Sequence, residues 1–326
     1  MPLPNLSEFR NFARVLRWRA WLRAEQGRYE DAFDDMKSCY RFGQQLKGDK
    51  TLIEQLVGIA IEALAVHTIR DVLGRDQINS AVLAVLQKDF EQTTAGEDFA
   101  MSMKIEKLCA YDGIQRCFTE DRLSGGHLYL KGFQKIGGNY GFESSRKGKE
   151  WAELLHILFT HPNKKESRET ADRFYAFIDK MAGKTPNQLR ADGIDIEKET
   201  MKIIKPNILL KVLTPAFSRL YAINYQLKTD TQALITTIAV LRYSQEKGGY
   251  PAGLDELIAA GYLKELPMDP YSDKPLVYHG TDDGFTLYSV GKNFKDDDGE
   301  MSKDEKGRVR LWADDGDAVF WPVLQN

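Results

Sequence analysis

Histidine and cysteine are scarce in this chain, at five and three of 326 residues. Cys39, Cys109 and Cys117 cannot all pair with one another, and none sits in a CxxC spacing, so neither a disulfide framework nor a zinc or redox motif is written here. Cys109 and Cys117 lie about 12 Å apart along any helix that carries both, too far for a bridge. Buried or unpaired thiols are the expectation. His156 and His161 lack the HExxH spacing that sets two imidazoles on one helix face. No histidine forms a recognisable nucleophile, base and orienter pattern with Ser124 or Ser218. Charge of one sign is also lacking: 45 basic against 48 acidic residues leave a net charge of −3. Nucleic acid is excluded as a partner on this balance, because phosphate binding needs a concentrated positive field. Long uninterrupted apolar runs are missing too. The stretches Leu52 to Val66 and Ile208 to Leu213 are short or broken by charge, so no membrane span is expected, and no apolar segment follows Met1. Two placements stay open: cytoplasmic, or periplasmic or extracytoplasmic for a chain whose export segment has been removed.

What is present is a globular composition, 42% hydrophobic and 29% charged, with length enough for two domains. Residues 7 to 46 read as two helices around a turn at Gly27. Phe9, Phe12, Val15, Leu16 and Leu22 recur at near-helical spacing before it, and Tyr29, Ala32, Met36 and Cys39 share one face after it. EQGRYEDAFDDMKSCYRF resembles the turn and second helix of a tetratricopeptide repeat, which implies a close helix approach at Ala20. Thr51 to Leu73 reads as a third helix, apolar around most of its circumference and therefore buried, with His67 as a core or interface histidine. Helical patterns continue over 80–120, with Met101 and Met103 as core filler, and over Trp151 to Phe159 and Glu166 to Met181.

Leu123 to Glu150 is a glycine-rich break. Gly137 and Gly138 lead into Asn139 and Tyr140 rather than Lys and Ser or Thr, so it is not a phosphate-binding loop. Its aromatics, Tyr129, Phe133, Tyr140 and Phe142, alternate with Lys131 and Lys135, and the pattern is assigned to a surface excursion. Residues 183–206, rich in polar turn chemistry, read as a flexible or connecting element. From Asn207 the pattern supports a long helix, or two with a kink at Pro215, ended by Gly248 and Gly249.

The last third carries four blocks in order: YSQEKGGYP, LDELIAAGYL, LPMDP, and the strand-forming runs KPLVY and GFTLYSVG. In this order and spacing they resemble the soluble domain of the major pseudopilin of type II secretion. The resemblance spans roughly 230–326. It implies a long helix packed on a small antiparallel sheet, a bacterial source, and a calcium ion held after the tyrosine-bearing strand. The positions matching the family's ligand turns are Asn293, Asp315 and Asp317, with Asp296, Asp297 and Asp298 beside them as further oxygen donors. Asn293 replaces a charged ligand, and 296–311 is longer and more charged than the family loop. An EF-hand register with Gly299 at the sixth position places Phe294 at the first and lacks flanking helices. A solvated charge run is the plain alternative. The helix matching the pilus subunit's apolar one contains Lys228, Asp230 and Arg242, which argues against filament incorporation.

The reading is thus an α+β chain: a mainly helical scaffold over 1–206, with helical hairpins, and a pseudopilin-like helix and sheet over 207–326 with an acidic calcium loop. The expected function is a non-enzymatic, calcium-binding interaction or scaffold protein related to the bacterial cell envelope or secretion, with an unidentified protein partner. A hydrolase with its site between the helical part and the Gly125 to Gly141 loop is the alternative.

Overall fold

The turn at Gly27 sets the first hairpin. In the computed structural model, which describes residues 6–94, 103–120, 125–129, 160–214 and 217–323, α1 (Leu6–Glu25) and α2 (Tyr29–Gln44) flank this glycine. Gly27 has φ +71°, a left-handed conformation that costs glycine little. Its N–H donates to the Ala24 carbonyl and that of Arg28 to the Arg23 carbonyl, each at 2.9 Å, which is the Schellman pattern. Ala20, Ala32, Met36 and Cys39 are buried, and Tyr29 is half-buried, in line with the sequence stripe.

Helix α3 (Leu52–Arg75) opens on a capping box between Thr51 and Glu54 and packs against both α1 and α2. Its approach to α2 depends on two glycines. A Cβ on Gly43 would lie 2.7 Å from the Gly58 carbonyl oxygen, and one on Gly58 would lie 2.6 Å from that of Gly43. By length and composition α3 is apolar enough to cross a bilayer, yet 61% of its most apolar window is buried inside this fold. Such burial is what an all-round apolar helix requires of its neighbours. Helix α4 (Ser80–Thr94) lies on α2, and α5 (Lys104–Cys117) lies on α6 (Lys164–Ala182).

The segment expected as a connector contains two short helices, α7 (Pro186–Ala191) and α8 (Ile196–Ile204). Their signals are local: Thr185 and Gln188 form a capping box ahead of Pro186, and the Asp195 side chain accepts from the Lys198 N–H. Beyond Asn207 two helices occur, α9 (Ile208–Leu213) and α10 (Phe217–Lys247), and Pro215 lies outside the described residues. Gly248, at φ +80°, ends α10.

Helix α10 is the spine of the molecule. Phe217, Leu220, Tyr221, Leu227, Leu234 and Ile238 join the core of the helical part. Ala233, Ala239, Val240 and Tyr243 join a second core with Leu254 and Leu257 of α11 (Leu254–Ala259) and with Leu287, Ala318 and Phe320 of the sheet. The sheet is antiparallel, with β3 (Val277–Gly280), β4 (Phe285–Ser289) and β5 (Ala318–Trp321) in that order and β4 central. A two-residue pair, β1 (Met268–Asp269) and β2 (Lys274–Pro275), stands beside it. The α+β class and the helix-on-sheet packing agree with the sequence reading. Strand β5 lies outside the strand-forming runs and returns to β4 after the acidic loop.

Candidate functional site

The acidic loop runs between β4 and β5 and is folded on its own backbone. The Asp317 N–H donates to the Glu300 carbonyl at 2.7 Å, Ser302 N–H to the Asp317 carbonyl at 2.9 Å, and Lys303 N–H to the Asp315 carbonyl at 2.9 Å. Phe294 and Asp298 take φ of 59° and 54°, left-handed values uncommon outside glycine. Strands flank the loop on both sides, so the helix–loop–helix frame of an EF-hand is absent here.

Asp317 is completely buried at the centre of the loop. Its carboxylate accepts the Asp297 N–H at 3.1 Å and the Gly299 N–H at 2.8 Å. Burial pushes this carboxyl up to about 6, against the pull of those two amides, and the nearby charges of Asp296 and Asp297 push the same way. Asn293 joins the group by donating from Nδ2 to Asp297 Oδ2 at 2.6 Å, while its Oδ1 accepts the Lys295 N–H at 3.0 Å. Asp296 Oδ1 accepts from the Tyr288 hydroxyl at 2.9 Å and from the Asp298 N–H at 3.1 Å. Asn293, Asp297 and Asp317 therefore form one hydrogen-bonded group, and Asp296 and Asp298 form a second with Tyr288. Asp315 stands apart: it is exposed and contributes its carbonyl to the Lys303 bond.

The loop's cations are distributed unevenly. Lys292 pairs with Asp314 at 3.1 Å, Lys303 with Glu300 at 2.8 Å, and Arg308 and Arg310 both with Asp304, at 2.7 and 3.1 Å. Those three acids are outside the predicted ligand set. Among the described residues, none of Asp296, Asp297, Asp298, Asp315 and Asp317 appears in an ion pair. Three or more His, Cys, Asp or Glu side chains do not converge into a metal-holding group among the described residues. A hard cation takes six to eight oxygens, more than the carboxylates that the described part of this loop brings together.

A second polar centre joins the two parts of the chain, and the sequence did not reveal it. Asp230 of α10 is buried, and its two carboxylate oxygens accept from His67 Nε2 of α3 and from Trp312 Nε1 of the acidic loop, each at 3.0 Å. Arg242, further along α10, donates to Gln87 Oε1 of α4 at 2.9 Å and lies over the Tyr262 ring, 5.1 Å from its centroid. Gln87 Nε2 in turn donates to the Tyr262 carbonyl at 2.6 Å. Two of the charges that distinguish α10 from an apolar pilus helix thus dock it against the helical part. His67 is an interface histidine, as its place in an apolar helix implied. Asp269 of the LPMDP block is likewise buried, accepting from Tyr271 N–H, Ser289 Oγ and Val290 N–H at 3.0, 2.8 and 3.1 Å. It ties the block to the end of β4.

The region named for the hydrolase alternative is described over residues 125–129 only, and His156 and Ser124 lie outside the described residues. A cavity of about 520 Å³ between α5 and the start of α6 is lined by Tyr111, Thr119, Glu120, Lys164, Lys165 and Arg168, among others. The Thr119 hydroxyl accepts the His127 N–H at 2.9 Å, the Tyr111 hydroxyl donates to Asp172, and no histidine stands in the described lining. Cys39 and Cys117 are buried thiols pushed up by that burial to about 12 and about 11, and Cys109 is exposed. Comparison with protein-family models, with curated proteins and with solved structures finds no match to this chain.

Proposed function

We propose that this chain is a non-enzymatic interaction or scaffold protein whose C-terminal third is a pseudopilin-like module stabilised by calcium, in a bacterial cell-envelope or secretion setting. The observation that carries the calcium reading is the segregation of charge in the loop. Lys292, Lys303, Arg308 and Arg310 pair with Asp314, Glu300 and Asp304, and among the described residues the acids of the ligand set form no ion pair with a cationic side chain. Several carboxylates held close together repel unless a cation compensates them, and Asp317 is buried among them. Calcium bound there would neutralise that repulsion through oxygen ligands. On this reading Asn293, Asp296, Asp297 and Asp317 would supply side-chain oxygens to it, with Asp298 and Asp315 as further donors.

The scaffold reading is supported by the use of α10. A helix that contributes to two cores, and uses Asp230 and Arg242 to dock on α3 and α4, is not free to enter a filament core. The test is thermal unfolding in chelator and in millimolar calcium, on the parent and on Asp317→Ala. A hundredfold excess of calcium over its dissociation constant raises stability by about 2.7 kcal/mol. The parent is expected to shift upward and the variant to lose that shift. An unchanged parent midpoint would reduce the loop to a solvated charge run.

A further inference from the structure

The last turns of α10 border a cleft where the helical part meets the C-terminal module. It holds about 550 Å³, within the roughly 300–1,000 Å³ of small-molecule sites, which favour boundaries of this kind. Its helical side comes from the end of α3, the segment from Asp76 to Asn79, and Leu241, Ser244 and Gln245 of α10. The module supplies Tyr250 and Trp321.

The two sides differ in chemistry. Tyr250 and Trp321 are half-buried and both pack on Phe285, with ring centroids at 5.6 and 5.3 Å, and the indole lies within 5° of parallel to that ring. Phe285 belongs to the central strand β4, so the fold itself holds the aromatic side in place. On the helical side two amides are fixed at one end and open at the other. Asn79 Oδ1 accepts the Val82 N–H at 3.0 Å, which leaves Nδ2 as a donor. Gln245 Nε2 donates to the Ile78 carbonyl at 2.8 Å, which leaves Oε1 as an acceptor. Among the described residues, those two atoms and the Ser244 hydroxyl have no hydrogen-bond partner in the protein. The charges of the lining cancel and are already engaged. Arg75 lies over the Trp21 ring, 4.3 Å from its centroid, and Asp76 stands beside the Tyr29 hydroxyl.

We infer that this cleft binds a neutral saccharide, with a pyranose ring resting on Tyr250 and Trp321 and its hydroxyls bonded to Asn79, Gln245 and Ser244. A pyranose presents a face of C–H groups and an edge of hydroxyls that each donate and accept, which answers an aromatic wall beside a mixed set of donors and acceptors. An anion meets one guanidinium, stacked on Trp21, and a carboxylate in the same lining. A wholly apolar ligand would cover the two amides and the hydroxyl without pairing them, which opposes binding. The inference goes beyond the calcium reading, and no residue of the acidic loop lines the cleft. A ligand held by hydrogen bonds and ring contacts asks for no reacting group, in keeping with an interaction protein.

The experiment is isothermal titration of the full chain with cellobiose, maltose and N,N′-diacetylchitobiose, beside glucuronate and adenosine. At least one of the neutral disaccharides is expected to bind with a dissociation constant of about 1 mM or below, and more tightly than glucuronate or adenosine. Asn79→Asp keeps the oxygen that caps α4 and removes the donor, and Gln245→Ala removes the acceptor; each is expected to weaken binding about fivefold. Ser244→Phe places a ring in the cleft and is expected to abolish binding. Trp18→Ser, which removes an aromatic 75% exposed on α1, is the control and should leave binding unchanged. Thermal unfolding is read on every variant, and the exposed positions Asn79 and Gln245 decide the matter if Ser244→Phe lowers the midpoint. No binding of any of the three disaccharides, parental affinity in both Asn79→Asp and Gln245→Ala, or an equal loss in Trp18→Ser would overturn the inference. So would tighter binding of glucuronate, which assigns the cleft to an anion, or of adenosine, which assigns it to a heterocycle.

Discussion

Asp230→Ala is expected to destabilise the fold by about 3 kcal/mol. The carboxylate is 3% exposed and accepts from Trp312 Nε1 and His67 Nε2, both at 3.0 Å. Each hydrogen bond to a charged acceptor is worth roughly 1.5–3 kcal/mol, and the indole N–H and imidazole left behind both lose one. His67 is 40% exposed and can turn toward water, which places the expectation at the lower end. Asp230→Asn keeps an acceptor for the indole and is expected to lose about half as much. The assay is equilibrium unfolding in urea at pH 7.5, followed by far-ultraviolet circular dichroism and tryptophan fluorescence. A double-mutant cycle with Trp312→Phe isolates the contact, and a coupling of about 1–2 kcal/mol is expected for neighbours that share a bond. A loss below about 1 kcal/mol for Asp230→Ala, or a cycle additive within about 0.5 kcal/mol, would refute the idea that this carboxylate ties the loop and α3 to the spine.

Gly43→Val sets a Cβ 2.7 Å from the Gly58 carbonyl, so the α2–α3 crossing must open, and a loss of about 2 kcal/mol or more in the same urea assay is expected. Gly183→Ala, at φ −86° with nothing within 4 Å of the added carbon, is the control and should be neutral or stabilising by about 0.5 kcal/mol. His161 predicts a pH dependence. Its Nδ1 lies 2.8 Å from the Pro162 carbonyl and its Nε2 accepts weakly from the Leu209 N–H at 3.4 Å, a neutral-ring arrangement, and burial lowers its pKa. The folded state then resists protonation that the unfolded state accepts near pH 6.5, so stability attributable to this group is intact above that pH and lost as pH falls below it. His161→Gln should flatten the parent's decline between about pH 7 and 5, and an unchanged slope would count against this account.

Much of the architecture was legible in the sequence because it rests on local chemistry. Gly27 and Gly248 mark helix ends through a left-handed backbone, and the Ala32, Met36 and Cys39 stripe follows helical period. The runs around Val277 and Phe285 alternate with turn residues, and they pair as an antiparallel hairpin. Thr185, Gln188 and Asp195 were equally local signals, and they mark helices in a stretch that reads as a connector by composition alone. Other features depend on residues far apart in the chain. His67, Asp230 and Trp312 meet across 163 and 82 positions. No spacing rule links them, and burial of Asp230 forces a partnership that its own helix cannot supply. Strand β5 needs β4 to define it, and the close contact of Gly43 with Gly58 exists only once α2 and α3 cross. In the acidic loop the sequence determined the density of carboxylates, but the tertiary structure decided which acids face a lysine or arginine and which, among the described residues, do not. That choice is made by how the backbone between Gly291 and Asp317 folds back on itself, because charge pairing acts over a few ångströms of space rather than a few positions of sequence.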